Sequence, residues 1–232
     1  MKLASLFSGG KDSMYSIYKA KLMGYDVVCL VTASPKSFDS QLLHFPTIEL
    51  TKLQAKAMKI PQIASELNSD DTTEQMDILK TLLEKAKEDF QIEGIVHGGI
   101  SSEFQKKCFE IICKENNLKI ITPLWNINPK EYMIELINSG FKFILTSVSS
   151  DGLDETWLGK VISASDVSKL SELSTKYGFN LNFEGGEAET FVIDCPLYSG
   201  PIKISKSGKI WDGYRGRFEI EDTSLDSNAR QS

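Results

Sequence analysis

A short segment near the start of the chain, SGGKDS at residues 8–13, restricts the fold more strongly than any other part of the sequence. It follows a strand-like run from Lys2 to Phe7 and precedes a helical pattern of apolar residues that closes at Gly24. Between a strand and a helix, free backbone N–H groups and the positive end of the helix dipole attract phosphate. The segment therefore predicts a phosphate-binding loop, and a tight turn without a ligand is the alternative.

The residue types of this loop suit phosphate binding. Two glycines let the backbone come close to a ligand, the lysine adds a mobile cation, and the two serines add hydroxyl donors. Asp12 is expected to hold the loop in shape or to bind a magnesium ion on the phosphates. The chain lacks the pattern G-x-x-x-x-G-K-[ST], which argues against a kinase or GTPase of the usual P-loop kind. The residues expected to bind phosphate are Ser8, Gly9, Gly10, Lys11, Asp12 and Ser13.

Strand and helix signals alternate through the first half of the chain, which is typical of a parallel sheet covered by helices. The stretch from 34 to 61 is the least regular part of this half. From Trp125 onward a helix and a strand are followed by short β-like runs punctuated by glycine. We therefore predict a Rossmann-like α/β domain with a parallel sheet at residues 1–124, a smaller α+β domain at 125–220 and a disordered tail at 221–232.

The composition excludes some classes of protein. Of the 232 residues, 41% are hydrophobic, and no apolar run approaches the roughly 20 residues of a membrane span. The N-terminus lacks the basic start and long apolar stretch of a signal peptide, so we expect a cytoplasmic protein that does not enter membranes. A net charge of -6 argues against binding to nucleic acid, whose phosphates are normally met by a basic surface.

Most cysteines, histidines and tryptophans are expected to be structural. The four cysteines form no C-x-x-C pair and lie in apolar or amphipathic segments, so we expect reduced core residues. His44 and His97 are interpreted as packing or hydrogen-bonding residues. Trp125 and Trp157 suit the core and the wall of a cleft about equally. The cysteines are Cys29, Cys108, Cys113 and Cys195.

An acidic segment in the second half, FEGGEAETFV at residues 183–192, is the second candidate site. Its three glutamates surround a flexible Gly-Gly turn and could converge on one small polar site, where their mutual repulsion would favour a bound cation. Ammonium is such a cation, and a carboxylate could hold it and then take its proton. A solvated acidic turn is the alternative. The glutamates are Glu184, Glu187 and Glu189.

Several segments resemble known families. SGGKDS is similar to the PP-loop of the ATP pyrophosphatase superfamily, whose members adenylate a substrate oxygen and let a nucleophile displace AMP. The acidic segment resembles the E-G-G-E-x-E-T signature of diphthine–ammonia ligases. Three further segments resemble the same family: GGISSEFQ at 98–105, PLW at 123–125 and GLDETWLG at 152–159. The similarity extends over residues 1–218, with departures at Gly99, Phe104 and Lys160, where the family has Ala or Asp, Tyr and Arg.

This resemblance implies a first domain of the adenine nucleotide alpha hydrolase-like (HUP) fold and an ATP-dependent enzyme. It implies that the carboxylate of diphthine, a modified histidine of translation elongation factor 2, attacks the α-phosphate of ATP, and that ammonia then displaces AMP. The implied cofactors are ATP and Mg, the latter held by Asp12; the implied partners are elongation factor 2 and ammonium, and a homodimer is left open. The implied catalytic residues are Asp12, Glu184, Glu187 and Glu189, and the further ATP contacts are Gly98, Gly99, Ile100 and Ser101.

Other functions share some of these features. A PP-loop enzyme that adenylates another acceptor, such as tRNA, would have the same loop, but the scattered cysteines and acidic charge argue against sulfur transfer on RNA. A non-catalytic sensor would use the loop only to hold ATP, although it has no evident need for a carboxylate cluster. A close relative with a different acyl acceptor also fits, because the loop specifies adenylation rather than the group that is adenylated.

Overall fold

The computed structural model describes residues 1–34, 48–67 and 71–226. The chain divides into two compact units, Met1–Trp125 and Asn126–Ser232. This division lies next to the domain boundary expected at 124/125. In the part of the chain that the structure describes, no helix is both long enough and apolar enough to cross a membrane.

The first unit is a parallel sheet with connecting helices. Its elements are β1 (Lys2–Leu6), α1 (Lys11–Leu22), β2 (Asp26–Ser34), α2 (Ile48–Met58), β3 (Gln62–Glu66), α3 (Thr72–Phe90), β4 (Gly94–Val96), α4 (Glu103–Glu115) and β5 (Lys119–Ile121). The strands are ordered β3-β2-β1-β4-β5, and each neighbouring pair is parallel. The predicted Rossmann-like architecture of the first domain is confirmed.

The hydrophobic core of this unit holds β1 rigidly in the middle of the sheet. Leu6 and Val31 on the sheet belong to one buried cluster with Leu83 of α3 and Ile112 of α4. Burying each such side chain contributes about 1.5–3 kcal/mol relative to leaving it exposed. The carboxyl end of β1, where the glycine loop begins, is therefore attached to the buried core of the unit.

The second unit combines two helices with an antiparallel sheet. Its elements are α5 (Pro129–Asn138), β6 (Lys142–Val148), a 3-10 turn (Glu155–Trp157), α6 (Ala164–Tyr177), β7 (Ala188–Asp194), β8 (Ile202–Trp211) and β9 (Gly216–Leu225). The strand order is β7-β6-β9-β8 with antiparallel pairing throughout. This arrangement confirms the smaller α+β domain predicted from the change in rhythm after Trp125.

The structure differs from the sequence prediction in two elements. The edge strand β3 was not predicted, because its residues are only half buried and give no apolar run. Helix α6 was also missed, since serines interrupt its apolar pattern and only Asp166, Val167 and Leu170 are buried. A capping box between Ser163 and Asp166 marks the start of α6. This Ser-x-x-Asp pattern is the sequence signal from which the helix could have been predicted.

The tail expected at 221–232 is wrong for its first residues. Residues 221–225 belong to β9, where Leu225 pairs with Ile202 of β8. Ion pairs of Lys203 with Asp226, at one end of the two strands, and of Lys206 with Glu221, near their middle, also link them. The polar composition misled the prediction because backbone hydrogen bonds between strands do not require apolar side chains. Residues 227–232 lie outside the described residues.

Candidate functional site

The glycine loop lies where the strand order of the first sheet reverses. β1 pairs with β2 on one side and with β4 on the other, so the loops that follow β1 and β4 leave the sheet as neighbours. In open α/β sheets, ligands bind in the crevice at such a point, outside the carboxyl ends of the strands. The fold therefore places SGGKDS at 8–13 at the position expected for a nucleotide-binding loop.

Two serine hydroxyls hold the loop in shape. The Ser13 hydroxyl accepts hydrogen bonds from the Ser8 amide at 3.3 Å and from the Ser8 hydroxyl at 3.1 Å. It donates to the Gly10 carbonyl at 3.1 Å. The Gly10 amide in turn donates to the Ser8 hydroxyl at 3.4 Å. These hydroxyls therefore stabilise the loop itself, in addition to any contact with a ligand.

The start of α1 is suited to binding an anion. Its N-cap residue is Gly10, which has no side chain to cap the amides of the first turn. Such amides, together with the helix dipole, favour negative charge. The Lys11 ammonium lies 2.9 Å from both carboxylate oxygens of Asp12, and the side chain of Lys11 is only 2% exposed against 29% for Asp12. The Lys11–Asp12 ion pair therefore lies at the N-terminus of α1, and Asp12 is its more exposed member.

The turn that follows β4, at Gly98 and Gly99, packs directly on this loop. A Cβ atom at Gly98 would lie 2.4 Å from the carbonyl carbon of Asp12 and 2.6 Å from the amide nitrogen of Ser13. Only a glycine allows that approach, because both neighbours are backbone atoms that cannot move aside. The turn after β4 and the loop after β1 therefore pack against each other through their backbones.

The residues after Gly98 differ in their surroundings. His97 is 3% exposed, its Nδ1 accepts a hydrogen bond from the Gly99 amide at 3.1 Å, and its ring meets Phe109 edge-on at 5.0 Å. These contacts agree with the structural interpretation of His97. Ile100 is buried in the core, whereas Ser101 is exposed. His44, the other histidine, lies outside the described residues.

In the second unit, the side chain of Glu187 folds back towards Asn180, at the start of the same turn region. Its Oε1 accepts hydrogen bonds from the backbone amide and the side-chain amide of Asn180, both at 2.8 Å. A Cβ at Gly185 would lie 2.7 Å from that oxygen, so the turn needs a glycine there to make room for the carboxylate. We call this arrangement of Asn180, Gly185 and Glu187 the Asn180–Glu187 clasp. The other carboxylate oxygen, Oε2, is buried and has no hydrogen-bond partner among the described residues.

The backbone around the acidic segment is also held firmly. Ser149 donates from its amide to the Glu187 carbonyl at 2.8 Å and from its hydroxyl to the Gly186 carbonyl at 2.7 Å. Phe183 adopts a φ of +63°, which is strained for a bulky residue and orients the chain just before Glu184. Strain of this kind persists only where the surroundings enforce it, so the segment has one defined shape.

The three glutamates do not form a metal site. Across residues 1–34, 48–67 and 71–226, no group of three or more His, Cys, Asp or Glu side chains is placed to hold a metal ion. Glu184 and Glu187 lie in the turn, and Glu189 lies in β7 with its amide bound to the Ser147 hydroxyl at 3.1 Å. The convergence of all three carboxylates on one site remains a prediction.

The cysteines are confirmed as reduced core residues. All four are buried and free of disulfide bonds in the described chain. Burial raises the pKa of the Cys113 thiol to about 12, and burial together with the nearby Asp89 charge raises that of Cys29 to about 12. Thiols with such pKa values are neutral at physiological pH and are poor nucleophiles.

Trp125 and Trp157 occupy different environments. Trp157 is 3% exposed and is therefore a core residue of the second unit, with the Lys160 and Lys169 ammonium groups 5.1 and 5.4 Å from its ring centroid. Trp125 is only partly buried, and the Lys106 ammonium lies 4.4 Å from its ring centroid. The core role thus applies to Trp157.

Two residues that contact the candidate sites were not found from the sequence. Gln54 of α2 donates a hydrogen bond to the Gly9 carbonyl at 2.9 Å, and Asn180 holds Glu187. Gln54 lies 45 positions from its partner and stands in an ordinary amphipathic helix, so no local pattern marks it. Asn180 precedes the acidic segment by a few residues and could have been suspected as a turn former.

Comparison with known proteins assigns both halves of the chain. A family model described as the diphthamide synthase N-terminal domain matches residues 1–120, and one described as the diphthamide synthase C-terminal domain matches residues 128–225. The diphthine–ammonia ligase of Bos taurus is 33% identical over 225 residues, which covers 89% of this chain and 84% of that protein. The diphthine–ammonia ligase of Homo sapiens is 31% identical over 229 residues, with the same shares covered.

A solved structure described as a predicted subunit of tRNA methyltransferase from Methanocaldococcus jannaschii covers 84% of this chain and 98% of its own, with a TM-score of 0.44 and 19% identity. That similarity is too low to bear on function. The family assignment depends instead on the two domain models, which together span both compact units in the right order. The chain belongs to the diphthamide synthase family.

Proposed function

We propose that this chain is an ATP-dependent diphthine–ammonia ligase that converts diphthine on translation elongation factor 2 to diphthamide. The observation that carries the proposal is the match of two successive diphthamide synthase domains over almost the whole chain. Curated relatives that share about a third of its residues bear the name diphthine–ammonia ligase. A translation factor as substrate supports a cytoplasmic location.

We assign adenylation to the phosphate loop. A carboxylate oxygen of diphthine attacks the α-phosphorus of ATP, a new P–O bond forms, and the bond to the β-phosphate breaks to release pyrophosphate. The amides at the start of α1 and the Lys11 ammonium would stabilise the charge that develops on the leaving group. The segment from Gly98 to Ser101 is the second proposed contact with ATP, because Gly98 packs on the loop backbone.

Asp12 is the proposed ligand of a magnesium ion. Its carboxylate is partly exposed and offers the oxygen donors that magnesium prefers, and phosphate oxygens of ATP would complete the coordination. A bound magnesium ion would neutralise phosphate charge at this position. One carboxylate is enough for such a site, because magnesium is commonly held by one or two carboxylates together with substrate phosphates.

We assign ammonium binding to the acidic segment. Within the described parts of the chain no group donates a hydrogen bond to the buried Oε2 of Glu187, and an ammonium ion would supply such a donor. Loss of one proton leaves ammonia, whose lone pair attacks the acyl carbon of the adenylate; the C–O bond to AMP then breaks and the nitrogen loses a second proton. Glu184 and Glu189 remain the other candidates for accepting these protons.

The direct test is to incubate the protein with ATP, Mg, ammonium and elongation factor 2 that bears diphthine. AMP, pyrophosphate and the mass of the modified histidine are followed together. Conversion of the acid to the amide lowers the mass by about one unit, and we expect this loss in proportion to AMP. AMP without the mass change would indicate another acyl acceptor, and the absence of both products would favour a nucleotide sensor.

A further inference from the structure

Helix α2 contacts the phosphate loop through one buried side chain. Gln54 is fully buried, and its Nε2 donates a hydrogen bond to the Gly9 carbonyl at 2.9 Å. Gly9 has a φ of +79°, and a Cβ there would lie 2.3 Å from Oε1 of Gln54 and 3.2 Å from its Cδ. A side chain at position 9 would therefore displace the Gln54 amide from its present place.

This hydrogen bond fixes the orientation of a peptide group in the loop. The Gly9 carbonyl belongs to the same planar peptide as the Gly10 amide, and in a trans peptide the C=O and N–H point in opposite directions. Holding the carbonyl towards α2 therefore turns the Gly10 N–H away from α2. That N–H faces the Ser8 hydroxyl at 3.4 Å, within the loop that is expected to receive phosphate.

A polar network ties helix α2, which carries Gln54, to the sheet. Gln62, the first residue of β3, donates from its side-chain amide to the Thr51 hydroxyl of α2 at 2.9 Å and to the Thr32 hydroxyl of β2 at 2.7 Å. Thr32 itself donates to the Phe7 carbonyl at 2.8 Å, at the end of the strand that leads into the loop. Helix α2 is thus tied by hydrogen bonds to both the sheet and the chain on which the loop depends.

We propose that Gln54 is a positioning residue for nucleotide binding, which holds the Gly9–Gly10 peptide in the orientation that phosphate requires. Gln54 acts through the loop backbone rather than by touching the ligand. The proposal rests on the proposed function of the loop as the ATP phosphate site. It predicts an effect confined to the phosphate part of the nucleotide.

The test compares pyrophosphate and adenosine as separate probes, by calorimetric titration of the full chain. Gln54→Met keeps a side chain of similar length but cannot donate to the Gly9 carbonyl. Losing one hydrogen bond to a backbone carbonyl is expected to weaken pyrophosphate binding about tenfold. Adenosine binding should not change, because the proposal assigns the Gly9–Gly10 peptide to the phosphates alone.

The control for a general loss of stability is Ile112→Val, which removes one buried methyl group near the end of α4. It destabilises the same unit to a comparable extent without touching the loop. We expect wild-type affinity for pyrophosphate in this variant. Equal weakening in both variants, unchanged affinity in Gln54→Met, or parallel weakening for adenosine would each overturn the role of Gln54.

A third variant tests whether position 54 must carry a hydrogen-bond donor. Gln54→Glu has the same shape, but its carboxyl group donates to the Gly9 carbonyl only when it is protonated. The ratio of its dissociation constant for pyrophosphate to that of the wild type should fall towards one as the pH is lowered. Affinity that stays weak at every pH at which the protein remains folded contradicts the proposal. Failure of the wild type to bind pyrophosphate at all would instead contradict the proposed function of the loop.

Discussion

Glu187 combines two roles that substitution can separate. Its Oε1 completes the Asn180–Glu187 clasp, while its charge and its buried Oε2 are the features proposed to bind ammonium. A glutamine at this position keeps a carbonyl oxygen for the clasp but removes the charge. An alanine removes both. The pair of variants therefore distinguishes support of the turn from chemistry.

We expect Glu187→Gln to bind ATP and to fold as the wild type does, yet to lose amide formation. Glu187→Ala should lose amide formation and also about 1–3 kcal/mol of unfolding free energy, because the Asn180 donors are left without their acceptor. Mass analysis of the product, ATP titration and urea unfolding measure the three quantities. Glu219→Gln, at an exposed position of β9, is the control. Normal turnover in Glu187→Gln would show that the charge is not needed.

Asp12 is the residue whose loss should affect adenylation most directly. We expect Asp12→Ala to abolish turnover and Asp12→Asn, which keeps the shape, to lower AMP release at least about 100-fold. The matched control is Asp26→Asn, at an exposed position of the same unit, which should leave AMP release unchanged. AMP release by Asp12→Asn at the control's rate would exclude a charge requirement at this position.

At the scale of elements, the capping box of α6 links helix stability to pH. Burial alone would raise the pKa of Asp166, but hydrogen bonds from Lys160 and Ser163 outweigh it and lower that pKa below its usual value. Because the pKa is lower in the folded than in the unfolded chain, Asp166 stabilises the protein above its unfolded pKa of about 3.9. This stabilisation is lost as the pH falls through the folded pKa.

We therefore expect Asp166→Asn to lower the unfolding free energy by about 1 kcal/mol at neutral pH. The difference from the wild type should shrink at acidic pH, once Asp166 is protonated in the folded protein as well. Urea unfolding over a pH series measures this, with Asp151→Asn, at an exposed position, as the control. A difference that is independent of pH would show that the carboxylate charge contributes nothing to the cap.

The carboxyl end of α3 offers a test of backbone strain. Gln91 ends this helix in the left-handed region, with a φ of +58°, whereas α6 ends in the same conformation with Gly178 at a φ of +80°. Left-handed backbone costs about 1 kcal/mol for a residue with a side chain. Gln91→Gly should therefore raise the unfolding free energy by about that amount, and the reciprocal Gly178→Gln should lower it. Urea unfolding at neutral pH measures both; changes of the same sign would contradict the argument.

At the scale of the whole molecule, net charge separates the proposed ligase from a tRNA-modifying enzyme. With 26 basic and 32 acidic side chains, the chain carries a formal charge of -6. Binding to nucleic acid depends on release of counterions by a basic surface. We expect no saturable binding of bulk tRNA at physiological salt by fluorescence anisotropy, whereas elongation factor 2 bearing diphthine should bind. Saturable tRNA binding would restore the competing function.

Local sequence was sufficient for the features that depend on neighbours along the chain. The loop from Ser8 to Ser13, the alternation of strands and helices in the first unit and the Gly-Gly turn at 185–186 all follow from short-range backbone preferences and apolar spacing. Helix α6 and strand β3 do not follow from these preferences, because the serines of α6 and the half-buried positions of β3 weaken the apolar spacing. The end of β9 was missed because cross-strand hydrogen bonds, rather than composition, stabilise it.

The sequence by itself determined the type of fold, the phosphate loop and the family signatures. Only the tertiary structure showed that Gly98 packs on the loop, that Gln54 donates a hydrogen bond to the Gly9 carbonyl and that Asn180 donates to one oxygen of Glu187. The physical reason is the range of the interactions. A glycine or a helical period is encoded within a few neighbouring residues, whereas a buried amide finds its carbonyl only after packing has brought distant segments into contact.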